Sequence, residues 1–130
     1  MVDATIVELD ADRCAVRCMD AAKVRATQAR LIDAEDAGRA AAMFRLLGDP
    51  SRVRLLFALL EAGEMCVCDL AACVEAPETN VSQSLRSLRI AGVVRNRRAG
   101  RVIYYSLDDA HVRMLLDLSR EHISHPTGHA

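Results

Sequence analysis

The sequence predicts a mainly α fold with one small β-hairpin, an α+β arrangement in which two short helices run straight into the hairpin. Three observations predict it. Apolar residues recur at helical spacing over 53–60 and 81–88, Gly and Pro punctuate the chain at 48–50, 63, 77 and 92, and β-branched and aromatic residues flank a glycine turn near residue 100. The chain has 130 residues, 52% hydrophobic and 27% charged, with a formal charge of −1. That suits one globular domain able to bury its own core without disulfides or a structural metal. With two Phe, two Tyr and no Trp, the core must be built of Leu, Val, Ile, Ala and Met.

Residues 1–19 show no sustained period and read as an arm. Residues 20–47 read as an Ala-rich helix interrupted near Asp36–Gly38 and stopped by Gly48. Asp49 as N-cap and Pro50 at the first helical position open the next helix, with Val53, Leu56, Phe57 and Leu60 as its core stripe and Gly63 as its end. A short helix over about 66–74 follows, and Pro77 opens another. Residues 78–91 place Val81, Leu85 and Leu88 on one face and polar residues on the rest, with Gly92 as C-cap. Val93-Val94, an Arg-rich turn over 97–101 and Val102–Tyr105 form the hairpin. Asp108 can cap a last helix running to about Ile123, and 126–130 form a tail. The domain reading is an arm over 1–19, one folded domain over 20–125 and the tail.

The near-zero net charge hides an asymmetry. Residues 77–101 carry six arginines, Arg86, Arg89, Arg95, Arg97, Arg98 and Arg101, against one acid, Glu78, while residues 1–40 carry eight acids and six bases. A segment of about +5 on an otherwise acidic protein is the footprint of a polyanion-binding face. Two helices in quick succession, the second polar-faced, followed by a basic hairpin describe a winged helix-turn-helix. Residues 78–91 would then lie in the major groove of DNA, with Thr79, Asn80, Ser82, Gln83 and Arg86 reaching base edges and backbone. The wing arginines Arg97, Arg98 and Arg101 would hold phosphates or enter the minor groove. The competing reading is a helix–hairpin unit that binds protein.

GDPSRVRLLFALL, CVCDLA, NVSQSLRSLRIAGVV, RRAGRVIYYSL and DDAHV, covering about residues 40–125, resemble the ArsR/SmtB family of metal-responsive repressors. CVC together with the upstream RCAVRCMDAAKV resembles the CadC-like, cadmium/lead-sensing subgroup. Ser84 departs from the pattern, since many members carry His there. The resemblance implies a homodimer that binds operator DNA without metal and leaves it when metal binds, so derepressing metal-resistance genes. It also implies an arm that crosses to the partner subunit and lead sites that often use three thiolates.

Five cysteines, Cys14, Cys18, Cys66, Cys68 and Cys73, make an odd count that argues against a disulfide framework. Cys14 and Cys18 are four residues apart, so one helical turn or a loop can present both to one ion. Cys66 and Cys68 lie about 200° apart on an ideal helix, a poor chelate except at a helix's first turn. Two sulfurs from each segment can build a four-thiolate shell for Cd(II) or Pb(II), with Zn(II) also suited to it. Against this stands the reading of Cys66 and Cys68 as small buried hydrophobes and of the arm cysteines as idle. Cys73, about 10 Å along the helix axis from Cys66, reads as core.

Asp109, His111, His122 and His125 form a second set. His111 and His122 differ by about 20° around a helix but by about 16 Å along it, too far for one ion. One metal could take all four only if Asp109 and His111 came from one chain and His122 and His125 from another, in two antiparallel helices about a twofold axis. The spacing matches the family's interfacial zinc site. The plain alternative is a helix-start acid and surface histidines.

No HExxH and no nucleophile–base pair occurs, so neither an enzyme nor a small-molecule substrate is expected. No apolar run approaches the roughly 20 residues of a bilayer span, and the acidic start lacks a basic region leading into an apolar one. A cytoplasmic protein with no membrane partner is expected. Two other functions compete: a thiol-based redox switch on the same DNA-binding scaffold, which would respond to oxidant and not to metal, and a metal buffer, which would leave the basic hairpin unexplained.

Overall fold

Gly63, Gly92 and Gly100 all adopt positive φ, the first two where the sequence pattern placed a helix stop and the third inside the turn it placed over 97–101. The structure, a computed structural model, describes residues 11–126. The first ten residues of the expected arm and residues 127–130 of the expected tail, His129 among them, lie outside the described residues. The described elements are α1 (Ala21–Arg30), α2 (Ala34–Leu47), α3 (Pro50–Ala62), β1 (Met65–Cys66), α4 (Val67–Val74), α5 (Glu78–Ile90), β2 (Val94–Ala99), β3 (Val102–Leu107) and α6 (Ala110–Ser124). The chain divides into two compact units, one running through Ala37 and the other starting at Gly38.

In the first unit, residues 11–19 run through turns and bends, and α1 begins at Asp20, whose carboxylate accepts the Lys23 N–H at 3.1 Å. The sequence places the helix interruption at Asp36–Gly38, but it lies at residues 31–33. Asp33 accepts the Asp36 N–H at 2.8 Å and so starts α2, while Gly38 stays helical. A capping carboxylate outweighs one internal glycine, which costs a helix only about 1 kcal/mol.

The second unit holds the winged helix. Asp49 accepts the Arg52 N–H at 3.0 Å, Pro50 occupies the first turn of α3, and Gly63 ends it with its N–H on the Leu59 carbonyl at 2.8 Å. The core stripe of α3 is Leu55, Leu56 and Leu59; Val53, Phe57 and Leu60 flank it, half-buried. Leu70 and Ala71 of α4, Val81, Leu85 and Leu88 of α5, Val93, Val94, Tyr105 and Leu107 around the hairpin, and Leu116 of α6 complete one core. Truncating any of the leucines there costs about 2–5 kcal/mol.

The strands form one antiparallel sheet in the order β1-β3-β2. Ala99 pairs with Val102, so the hairpin loop is Gly100-Arg101 alone, with Gly100 at φ 64°. A glycine at positive φ in the first loop position is what a two-residue II′ turn requires. Arg97 and Arg98, expected in the turn, are therefore strand residues. Strand β1 is the addition the sequence did not signal: Met65 pairs with Tyr105 and Cys66 with Tyr104.

At the end of α5 the Val93 N–H bonds the Leu88 carbonyl at 2.9 Å and the Gly92 N–H bonds that of Arg89 at 3.0 Å, a complete Schellman motif with Leu88 and Val93 both in the core. Gly92 sits at φ 79° with open space around an added Cβ, so a side chain there meets backbone strain alone. Gly92→Ala should lower unfolding stability by about 1–2 kcal/mol without changing oligomeric state, read by denaturant titration and sedimentation.

Candidate functional site

Burial of Val81, Leu85 and Leu88, at 2%, 0% and 0% exposure, turns the opposite face of α5 to solvent. Thr79, Asn80, Ser82, Gln83 and Arg86 are all exposed on it. Their amides, hydroxyls and guanidinium form a surface of hydrogen-bond donors and acceptors on a rigid rod, with Ser84 half-buried beside it.

The wing arginines are not equivalent. The Arg97 guanidinium makes a two-pronged bridge to Glu64, Nε to Oε2 and one terminal nitrogen to Oε1, both at 2.8 Å, and lies 4.6 Å over the Tyr104 ring. That contact holds the Glu64 carboxyl below its ordinary range and the Arg97 guanidinium above its own. Arg98 donates from Nε to the Gly100 carbonyl at 2.9 Å, bracing the turn. Arg101 stands exposed in the loop.

The thiols fall in two places. In the first unit the Cys18 and Cys14 sulfurs lie 3.2 Å apart on exposed, non-helical chain, and their hydrogen bond, followed by partial desolvation, raises the Cys18 pKa. In the second unit Cys66 is the N-cap of α4 with extended backbone and Cys68 lies in the first turn, where the helical 200° separation does not constrain the pair. The Cys68 sulfur is 3.7 Å from the Glu78 carboxylate, the first residue of α5. The charge of Glu78, then desolvation, then Cys66 and Asp69 raise the Cys68 pKa. Cys73 is exposed rather than in the core, its sulfur 3.7 Å from that of Met65, because α4 buries Leu70 and Ala71 on another face.

On α6 the cap is Asp109, not Asp108: its Oδ1 accepts the Val112 N–H at 3.1 Å. This bond first, and then contact with His111, lowers the Asp109 pKa. Its other oxygen lies 3.6 Å from the His111 Nδ1, so capping leaves one carboxylate oxygen beside an exposed imidazole. His122 occupies the last turn of the unbroken helix, and His125 is its C-cap. His111, Met114, Leu118, His122 and His125 follow spacings of 3, 4, 4 and 3 residues, which keep them within one stripe about 80° wide. Met114 and Leu118 on that stripe are 58% and 61% exposed. Among the described residues, no three His, Cys, Asp or Glu side chains of this one chain form a metal shell.

The model of the bacterial regulatory protein, arsR family, matches residues 49–96, from the cap of α3 to the middle of β2. A transcriptional repressor SmtB homolog from Synechocystis sp. is 45% identical over 103 residues, covering 79% of this chain and 75% of that protein. This chain belongs to the arsR family. Among further family relatives, the cadmium resistance transcriptional regulatory protein CadC homolog of Staphylococcus aureus is 40% identical over 77 residues, 59% of this chain and 64% of that one. The fold agrees. The crystal structure of the AntR antimony-specific transcriptional repressor aligns with a TM-score of 0.66 at 36% identity, over 72% of this chain and 84% of its own. A homodimeric winged helix-turn-helix DNA-binding domain from Mycobacterium bovis aligns at 0.64 and 27% identity, over 77% and 97%. As an ArsR-family protein the chain is a DNA-binding transcriptional regulator and not an enzyme, and no described helix is long and apolar enough to cross a membrane.

Glu64 and Glu78 escaped the sequence reading because each partner is remote, 33 residues away for Glu64 and 10 for Glu78. The double role of Asp109 can be separated by substitution. Asp109→Ala should cost about 1 kcal/mol of stability through loss of the cap, while Asp109→Asn should remain within a few tenths of wild type, both read by denaturant titration.

Proposed function

We propose that this chain is a cytoplasmic, homodimeric repressor that holds operator DNA in its metal-free form and releases it on binding Cd(II) or Pb(II) at Cys14, Cys18, Cys66 and Cys68. The observation that carries the reading is the sulfur geometry beside the DNA-reading helix. Cys66 and Cys68 open α4, immediately before α5, and Cys68 already touches the first residue of α5. Thiolates are the donors that soft cations of this kind would take. The Cys14 and Cys18 sulfurs, 3.2 Å apart, are already close enough to face one ion. Cys14, Cys18 and Cys68 are exposed and Cys66 is half-buried, and the carboxylates of Glu78 and Asp69 beside Cys68 favour a cation. The cadmium resistance in the name of the CadC relative supports metal as the effector.

Asp109, His111, His122 and His125 are the proposed Zn(II) ligands between subunits. One unbroken α6 keeps His111 and His122 about 16 Å apart, so a shared ion needs two antiparallel copies of the helix. The exposed Met114 and Leu118, lying between the two histidine ends on the same stripe, supply the apolar contact such a pairing needs. Thr79, Asn80, Ser82, Gln83 and Arg86 read the major groove, and Arg98 and Arg101 approach the phosphates. Two recognition helices in a dimer meet half-sites about one helical turn apart, so any change in their separation weakens both contacts together. An ion held by both cysteine pairs would tie together the two segments that carry them. To move the protein from almost wholly bound to almost wholly free takes ~5.5 kcal/mol of differential affinity, and operator must weaken metal binding by the same factor.

The deciding experiment titrates metal-free, reduced protein into a labelled duplex from its own upstream region, then adds Cd(II), Pb(II) or Zn(II). Release by Cd(II) or Pb(II) in wild type and His122→Ala, but not in Cys66→Ser, is the expected result. Loss of the response only in His122→Ala moves control to α6. Release by diamide with indifference to every metal replaces metal sensing by thiol oxidation. Binding with no preference for that duplex removes the repressor reading.

The raised pKa values of Cys18 and Cys68 fix the sign of a pH effect. Both thiols are protonated at neutral pH and must lose their protons to bind metal, so affinity rises with pH. Between pH 8 and 6 Cd(II) affinity should fall by about tenfold per pH unit for each proton displaced, measured by competition with a chelator of known pH dependence.

A further inference from the structure

The sheet register places Cys66 opposite Tyr104 and Tyr104 opposite Arg97, one residue from each strand in a single row. Directly opposed residues in antiparallel strands project to the same face, with neighbouring strands ~4.8 Å apart. Arg97 therefore sits about 10 Å from Cys66 with the Tyr104 ring between them. Its guanidinium lies over that ring and reaches back to Glu64, two residues before Cys66. The fork and the stack are thus anchored at both ends, in the wing and in the segment that carries the thiolate pair.

We propose that Arg97 is a positioning residue, and that Glu64, Arg97 and Tyr104 form a yoke through which occupation of Cys66 reorients the wing. This deepens the reading above and rests on Cys66 being a metal ligand. A planar fork on a carboxylate has a preferred orientation, so a shift of the chain at 64–66 to accommodate a ligand at Cys66 biases the orientation of β2 through Arg97. The wing arginines Arg98 and Arg101 ride on the same hairpin and move with it. Arg97 itself is already neutralised by Glu64 and adds no free charge for a phosphate.

The test uses the full chain with Glu64→Gln, which removes the carboxylate charge, and Arg97→Lys, which keeps the positive charge and loses the fork. Each protein is titrated with Cd(II) while the thiolate charge-transfer absorption is followed, and its operator affinity is measured with and without Cd(II) over a range of salt. The yoke predicts the same absorption end point in all three proteins. It also predicts that the weakening of operator binding by Cd(II) shrinks in both variants, from the ~10⁴-fold that a full switch needs to ~100-fold or less. Wild-type coupling in both variants overturns it. So does tighter metal-free binding by Glu64→Gln with a salt dependence steeper by about one phosphate contact, because Arg97 would then be a phosphate ligand that Glu64 masks. Absence of thiolate absorption or of Cd(II) release in wild type removes the metal reading itself and the yoke with it. Absorption and release with unchanged coupling in the variants removes the yoke alone.

Discussion

The contact that the rest of the second unit depends on is the burial of Val81, Leu85 and Leu88 against α3, α4 and the hairpin. These three side chains leave α5 no rotational freedom about its axis, so the polar residues between them can only face outward. The Schellman motif at Gly92 then turns the chain directly into β2, and Val93 and Val94 enter the same core. The helix and the hairpin are thus built on one apolar cluster and share a common base.

Around that core the protein repeats one device. Arg97 bonds Glu64 and stacks on Tyr104, and Arg120 bonds Glu61 at 3.0 Å and lies 4.8 Å over the Phe57 ring. The first ties the wing to the segment after α3, and the second ties α6 to α3 itself. Both are exposed, so neither contributes much to stability as a charge pair. Their value lies in direction, since a guanidinium held at once by a carboxylate and a ring has one orientation. The helix carrying the imidazoles and the hairpin carrying the wing arginines are thus both referenced to α3.

The sequence exposed the parts of this fold written in local chemistry. Asp49-Pro50, Gly63, Gly92 and the Val81–Leu85–Leu88 stripe each act within a few residues, and each stands where the pattern placed it. The wing hairpin was legible for the same reason. What escaped depends on distant partners or on competition between neighbours. Glu64 gives no sign of its role because Arg97 is 33 residues away, and Met65–Cys66 becomes a strand only because β3 offers it an edge. Asp109 takes the cap from Asp108 and Asp33 moves the helix break by a turn, choices between adjacent acids that composition does not resolve. Cys73 fails as a core residue because α4 is buried along Leu70 and Ala71, a face set by tertiary packing.

The strand order has a consequence for solubility. A three-stranded sheet presents two open edges, each with unpaired backbone groups that could template pairing with another chain. Here β1 is only two residues long, and β2 carries Arg95, Asn96, Arg97 and Arg98 in succession. One edge is too short to recruit a strand and the other too charged. The basic run therefore denies a second β-strand a flat edge to pair with. Removing the wing's charge to study DNA binding would at the same time uncover a flat edge, and the variant would have to be kept from aggregating before its affinity meant anything.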